Sequence, residues 1–191
     1  MRLYSQQREN FKKYFCFNLG FTMIEMVVSV GIISLLSAIF LANYHGANHK
    51  TELNMEAQKV VSNLNLARSF SLSSKKYNNS LPAGGWGVHF KTSSPDKYLI
   101  FADVNNNQSY DDGEADIDKG GRVINLPDNI IIDSADNGGT VDVVFLPPDP
   151  AIYFNGSIEP VSSAWVKLKE KDNNIFKTIT INSLGLSEIS D

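Results

Sequence analysis

The order of apolar and polar positions divides this chain into three stretches, each with its own period. From Met26 to Ala42 run 17 residues without a charge, and the 22 residues from Phe21 to Ala42 contain one, Glu25. As a helix, that longer stretch would rise roughly 33 Å, enough to cross a hydrocarbon core of about 30 Å. Ser29, Ser34 and Ser37 are compatible with this, because hydroxyls can bond back to the helix's own carbonyls. A helix this long and apolar on all faces exceeds what a small domain can bury, so a membrane span is predicted rather than a core helix.

After the span the period becomes helical and one-sided. Leu53, Ala57, Val60, Val61, Leu64, Ala67 and Ser71 or Leu72 recur at three- and four-residue steps, while Lys50, Glu52, Glu56, Lys59 and Arg68 fill other faces. This predicts an amphipathic continuation to about Ser74, with its apolar stripe turned toward a globular partner. Lys75 and Lys76 would complement the dipole in its last turn, before Asn78-Asn79-Ser80, Pro82 and Gly84-Gly85 stop it.

From Trp86 onward the period drops to two. Trp86–Phe90 and Tyr98–Phe101 read as a strand pair joined by Ser93-Ser94-Pro95-Asp96. Further strands are predicted over Arg122–Leu126, Ile130–Asp133, Val141–Leu146, Ala151–Phe154, Ala164–Glu170, Phe176–Ile181 and Leu186–Ile189, separated by turn signals such as Asn137-Gly138-Gly139 and Asn155-Gly156. The fold class is therefore α+β: a long N-terminal helix, half transmembrane and half amphipathic, packed on an antiparallel, sandwich-like C-terminal domain with the helix along one edge. The expected segments are a leader over 1–20, an assembly helix over 21–44, its amphipathic continuation over 45–76 and a β-rich domain over 77–191.

Charge orients the span. Arg2, Arg8, Lys12 and Lys13 against Glu9 make the leader about three units positive, which holds that end in the cytoplasm and places the rest outside. Without residues 1–20 the chain has 13 basic and 20 acidic residues, or −7, which argues against broad nucleic-acid binding. The only cysteine, Cys16, lies in the leader, so a chain cut after it has no disulfide and no thiolate chemistry.

An ordinary secretory signal is cut after its apolar region. Here the better site precedes it, at Gly20-Phe21, so the span would stay on the mature protein. Basic leader, Gly20, then Phe21-Thr22-Met23-Ile24-Glu25 resembles the class III leader of type IV prepilins and type II secretion pseudopilins. The resemblance implies cleavage between Gly20 and Phe21 by a membrane prepilin peptidase and methylation of the new amino group. It also implies that Glu25, the fifth mature residue, faces the N-terminal ammonium of a neighbouring subunit. An unpaired charge in lipid costs roughly 2.5–3.5 kcal/mol at a helix centre and less near its end, so assembly would supply the missing partner. The 20-residue leader and the lack of a proline near Ala42 suit a minor pilin or pseudopilin.

The β-rich part is similar to the GspH/FimT-like group, through Asn65-Leu66-Ala67-Arg68-Ser69, Trp86–Phe90, Tyr98–Asp103 and the acidic loop Asn105–Glu114. That group implies a place near a filament tip, with other pilins, the peptidase and the inner-membrane assembly platform as partners. Some members bind DNA during uptake, which makes a DNA-binding minor pilin the alternative function. Basic residues that follow the C-terminal glycine in such members are absent from Ser183-Leu184-Gly185-Leu186-Ser187-Glu188, so no DNA-binding residues are assigned. Lys167, Lys169 and Lys171 read as the solvated face of a strand.

One ligand site suggests itself. Asp103, Asn105, Asn107, Ser109, Asp111 and Glu114 stand at positions 1, 3, 5, 7, 9 and 12 of a loop, the oxygen spacing of a calcium site. Gln108 stands where such loops use glycine, and a polar, Asx-rich turn explains the same residues. His45 and His49 with Glu52 have the spacing of a two-histidine metal set, but the expected reading is headgroup-facing or subunit-contacting side chains. His89 lies on a strand without an obvious partner. No catalytic constellation is present, and the expected protein is a structural subunit rather than an enzyme.

Overall fold

The computed structural model describes residues 20–147, 151–157 and 163–191, without the side chains of 42–48. The leader residues Arg2, Arg8, Lys12, Lys13 and Cys16, like the side chain of His45, lie outside the described residues. The chain divides between Tyr44 and His45 into two units. Helix α1 runs Met23–Leu72. In the first unit its segment Met23–Leu41 is long and apolar enough to cross a membrane, and none of it is buried. Ser29 and Ser34 donate their hydroxyls to the carbonyls of Glu25 and Val30 at 2.7 and 2.8 Å, which removes the cost of free hydroxyls in an apolar stretch.

In the second unit α1 turns one stripe inward. Leu53, Ala57, Val60, Leu64 and Ala67 are all at most 1% exposed, at steps of four, three, four and three. One expectation is corrected here and one open alternative is decided. Glu56, expected on a solvated face, is 5% exposed and paired with Lys59 at 2.5 Å; Leu72 is half-exposed, and Ser71 takes the inward place. The helix also ends sooner than the basic residues suggested. Ser74 adopts φ +52°, and Lys75 N–H bonds Phe70 O at 2.9 Å while Ser74 N–H bonds Ser71 O at 3.1 Å. This is a Schellman-type end with serine in the left-handed position. Lys75 therefore lies past the helix, its ammonium 3.5 Å from the centre of the Phe70 ring.

Among the described residues nine strands follow: β1 Gly85–Lys91, β2 Lys97–Asp103, β3 Arg122–Asn125, β4 Ile130–Ala135, β5 Thr140–Leu146, β6 Ala151–Phe154, β7 Ser163–Glu170, β8 Phe176–Asn182 and β9 Ser187–Ser190. They form a five-stranded sheet ordered β3-β2-β1-β5-β6 and a four-stranded sheet ordered β4-β7-β8-β9, antiparallel throughout. The predicted β1–β2 pair is present, with Val88 opposite Ile100. Asn137-Gly138 has the two positive φ values, +50° and +72°, of a tight primed turn. Instead of closing a hairpin it carries the chain from β4 in one sheet to β5 in the other.

The helix stripe joins one core with the inner faces of both sheets, among them Trp86, Val88, Phe90, Ile132, Val166 and Ile179. The expectation of a helix laid along a sheet edge is thus replaced by a helix that helps fill the main core. On the reverse face of the five-stranded sheet a second cluster forms from Phe101, Ala115 and Val144, with Leu99, Tyr110 and Tyr153 packed against it. The chain between β2 and β3 covers that face, so its central strands are buried on both sides.

Candidate functional site

The N-terminal segment is built around a helix cap. Thr22 Oγ1 accepts the N–H of Glu25 at 3.3 Å, so Thr22-Met23-Ile24-Glu25 has the spacing and half of the bonding of a capping box. Glu25 also lies in the first turn, where a carboxylate meets the positive end of the helix dipole. Gly20 is exposed, and an added Cβ there would meet nothing within 4 Å. Gly20, Phe21 and Glu25 are therefore all open to another molecule. The cap is legible in the sequence as Thr-x-x-Glu, a signal that the reading of Glu25 as an assembly residue leaves unused.

All six residues of the acidic loop come together, but their oxygens are turned toward the protein. Asp103, fully buried at the end of β2, accepts N–H groups from Asn106 and Asn107 on one oxygen (2.7 and 3.2 Å) and from Gln108 on the other (2.8 Å). Glu114 reaches back with both oxygens, to Val104 N–H at 2.9 Å and Asp111 N–H at 3.0 Å. Asn105 and Asn107 accept from the N–H two residues on and donate their side-chain amides to the same oxygen of Asp111, at 2.7 and 2.8 Å. These are Asx turns in series. Gln108 takes φ +58°, so the position does require the left-handed region that glycine would favour. Among the described residues no group of three His, Cys, Asp or Glu side chains is arranged to hold a metal ion.

A buried pair fastens this loop to the sheet. His89 on β1 and Asp142 on β5 are direct cross-strand partners, with Nδ1 and Oδ1 2.5 Å apart. The other oxygen of Asp142 accepts Ser109 Oγ–H at 2.8 Å and Tyr110 N–H at 3.1 Å. The Tyr110 ring lies against His89, with centroids 4.5 Å apart, and edge-on to Phe101 at 5.4 Å. Burial pushes the Asp142 carboxyl up, but the His89 hydrogen bond and charge, with the donors of the loop, outweigh it and hold the carboxyl below its usual range. Glu114 goes the other way: burial raises it beyond what the Val104 and Asp111 hydrogen bonds offset, and Asp103 and Asp111 add to the rise. His89 thus has the partner that its sequence context hid. The available signal was one acid, Asp142, inside the apolar strand Val141–Leu146.

The remaining candidates separate. His49 Nδ1 lies 3.1 Å from Oε1 of the fully buried Glu170, at ion-pair distance but without hydrogen-bond alignment. Glu52 instead accepts from Asn129 at 2.8 Å, so His49 and Glu52 serve different contacts. Lys169 faces Asp133 at 3.9 Å, Lys171 donates to Asp128 O at 2.5 Å, and Lys167 sits over the Phe176 ring at 4.7 Å. Lys167 and Lys169 are thus occupied locally on the outer side of β7, whose burial alternates along its length, and Lys171 lies just past its end. Comparison of the chain with protein-family models, with curated proteins and with solved structures returned no match.

Proposed function

We propose that this chain is a non-catalytic structural subunit of a filament, a minor pilin or pseudopilin of a type IV pilus or type II secretion-type machine. A prepilin peptidase would cut between Gly20 and Phe21, leaving a helix that begins with the Glu25 carboxylate. Before assembly the span lies in the cytoplasmic membrane with the β domain outside; on assembly it leaves the bilayer and packs with the helices of other pilins. The reading rests chiefly on one observation: none of the 19 residues of the apolar stretch Met23–Leu41 is buried among the described residues, and a single carboxylate stands in the first turn of that helix. An apolar surface of that length needs lipid or other helices, and a carboxylate at its start favours the arrangement that supplies a cation.

The test is the intact mass and N-terminal sequence of the full chain co-expressed with a prepilin peptidase and its assembly platform. A product beginning at Phe21, with or without one added methyl, supports the reading. An uncut chain, or one cut after Ala42, rejects it.

A further inference from the structure

The outer face of the five-stranded sheet carries a cleft that the filament role does not use. It lies between the β1–β2 hairpin and the chain after β2 and encloses about 430 Å³, within the range of small-ligand sites. Among its largely polar lining, Leu99, Val123 and Tyr110 beside the ring of His89 supply an apolar and aromatic floor patch. That floor is rigid, because His89 Nδ1 is committed to Asp142 and Tyr110 is held by its own N–H to the same carboxylate.

The mouth is charged. His89 pairs with Leu99 and Phe90 with Tyr98, so Lys91 and Lys97 are the next facing positions of the ladder, and both line the cleft. Like charges directly opposite one another on a sheet are destabilising. Among the described residues neither lysine has an acid within ion-pair distance. Ser94, in the turn between them, adds a hydroxyl. Of the two acids at the opposite side, Asp116 is paired with Lys119 at 3.2 Å, which leaves Asp112. Two lysines against one aspartate give the mouth one surplus positive charge, which suits a monoanion and disfavours a phosphate dianion beside Asp112.

We propose that this cleft binds a carboxylate carried on a short apolar or aromatic stem, the carboxylate between Lys91 and Lys97 and the stem on Leu99, Val123 and Tyr110. Such a group is either a free carboxylic acid or the acidic side chain of an extended partner polypeptide. Binding relieves the repulsion between the two lysines and covers the exposed part of the floor.

The test is ligand-observed NMR on the full chain in lipid nanodiscs at neutral pH, with empty nanodiscs as the blank. The probes are 3-phenylpropionate, its neutral amide, inorganic phosphate, and a capped peptide with one glutamate between two leucines. A carboxylate probe should bind, the amide and phosphate should bind at least about tenfold more weakly, and K91Q/K97Q should weaken the carboxylate by about tenfold, as expected for losing two partly exposed charge contacts. K91R/K97R should retain it, which separates charge from fold. Tighter binding of the peptide assigns the source to a polypeptide, and tighter binding of 3-phenylpropionate to a free acid. Equal binding of the amide, unchanged binding by K91Q/K97Q, or no binding of either carboxylate at millimolar concentration overturns the proposal.

Discussion

Ser71 Oγ donates to the carbonyl of Phe145 at 2.5 Å while accepting the N–H of Trp86 at 2.8 Å. One buried hydroxyl near the end of α1 thereby joins the helix to β5 and β1, two strands paired at that position, where Trp86 faces Phe145. Its place on the inward stripe makes it look like a substitute for an apolar residue, but its role is polar. Ser71→Ala strands an N–H and removes one bond from a carbonyl, both buried, and should lower unfolding free energy by about 1–3 kcal/mol. Urea unfolding of the full chain in detergent, followed by Trp fluorescence, reads this; a loss below a few tenths would mean that the hydroxyl is dispensable.

Gly85 sits beside this contact. It has φ +85°, and a Cβ built on it would lie 2.2 Å from Phe145 O and 3.1 Å from Ser71 Oγ. Gly85→Ala should therefore cost about 3 kcal/mol or more, combining left-handed strain of roughly 1–2 kcal/mol with backbone displacement. Gly138 also has a positive φ but has nothing within 4 Å of its Cβ position, so Gly138→Ala should show the strain alone. Equal losses for the two in thermal unfolding would contradict this account.

The loop anchor makes stability depend on acid. Asp142 titrates below its ordinary value near 3.8 in the folded protein, so its contribution is present above that value and is lost as pH falls through the folded-state value. Asp142→Asn should cost about 1–3 kcal/mol at neutral pH, and the difference from the unaltered protein should shrink as pH drops below 3.8. Glu114 opposes this: its raised value means that stability from its neutral form is present below 4.5 and lost as pH rises through the folded-state value. Denaturant midpoints measured across pH would test both signs, and a difference independent of pH would reject the Asp142 assignment.

Glu25 takes part in the cap of its helix and, in the proposed filament, would pair with a neighbouring ammonium; glutamine separates the two. A capping box tolerates Glu or Gln at its third helical position, whereas pairing with an ammonium in a filament requires the charge. Glu25→Gln should leave membrane insertion and cleavage before Phe21 intact and abolish co-purification with partner pilins. Normal incorporation of Glu25→Gln would reduce the residue to a helix cap.

For the acidic loop the expected response to calcium is small. Both oxygens of Asp103 and of Glu114 already accept backbone N–H groups, and two amides share one oxygen of Asp111. Millimolar calcium should therefore leave the Tm of the full chain unchanged relative to magnesium. A calcium-specific rise that Asp111→Asn removes would instead show that the loop rearranges around the ion.

Local pattern alone located all nine strands, because alternation and turn residues are properties of neighbouring positions. It also located the apolar helix Met23–Leu41 and the helix stripe from Leu53 to Ala67, whose periods need no partner to be read. What it missed depends on side-chain pairing and on residues distant in the chain. Glu56 was placed outward by its charge, yet Lys59 neutralises it and lets it be buried. Asn137-Gly138 specified a tight turn but not whether the strands it joins would pair, which is decided by how two sheets share one core. His89 and Asp142 are 53 positions apart, and only the register of β1 against β5 makes them partners. The loop's six oxygen-bearing residues were visible as a spacing, but their direction was not: a buried backbone N–H is an obligatory donor, and the folded loop offers more of them than its sequence announces.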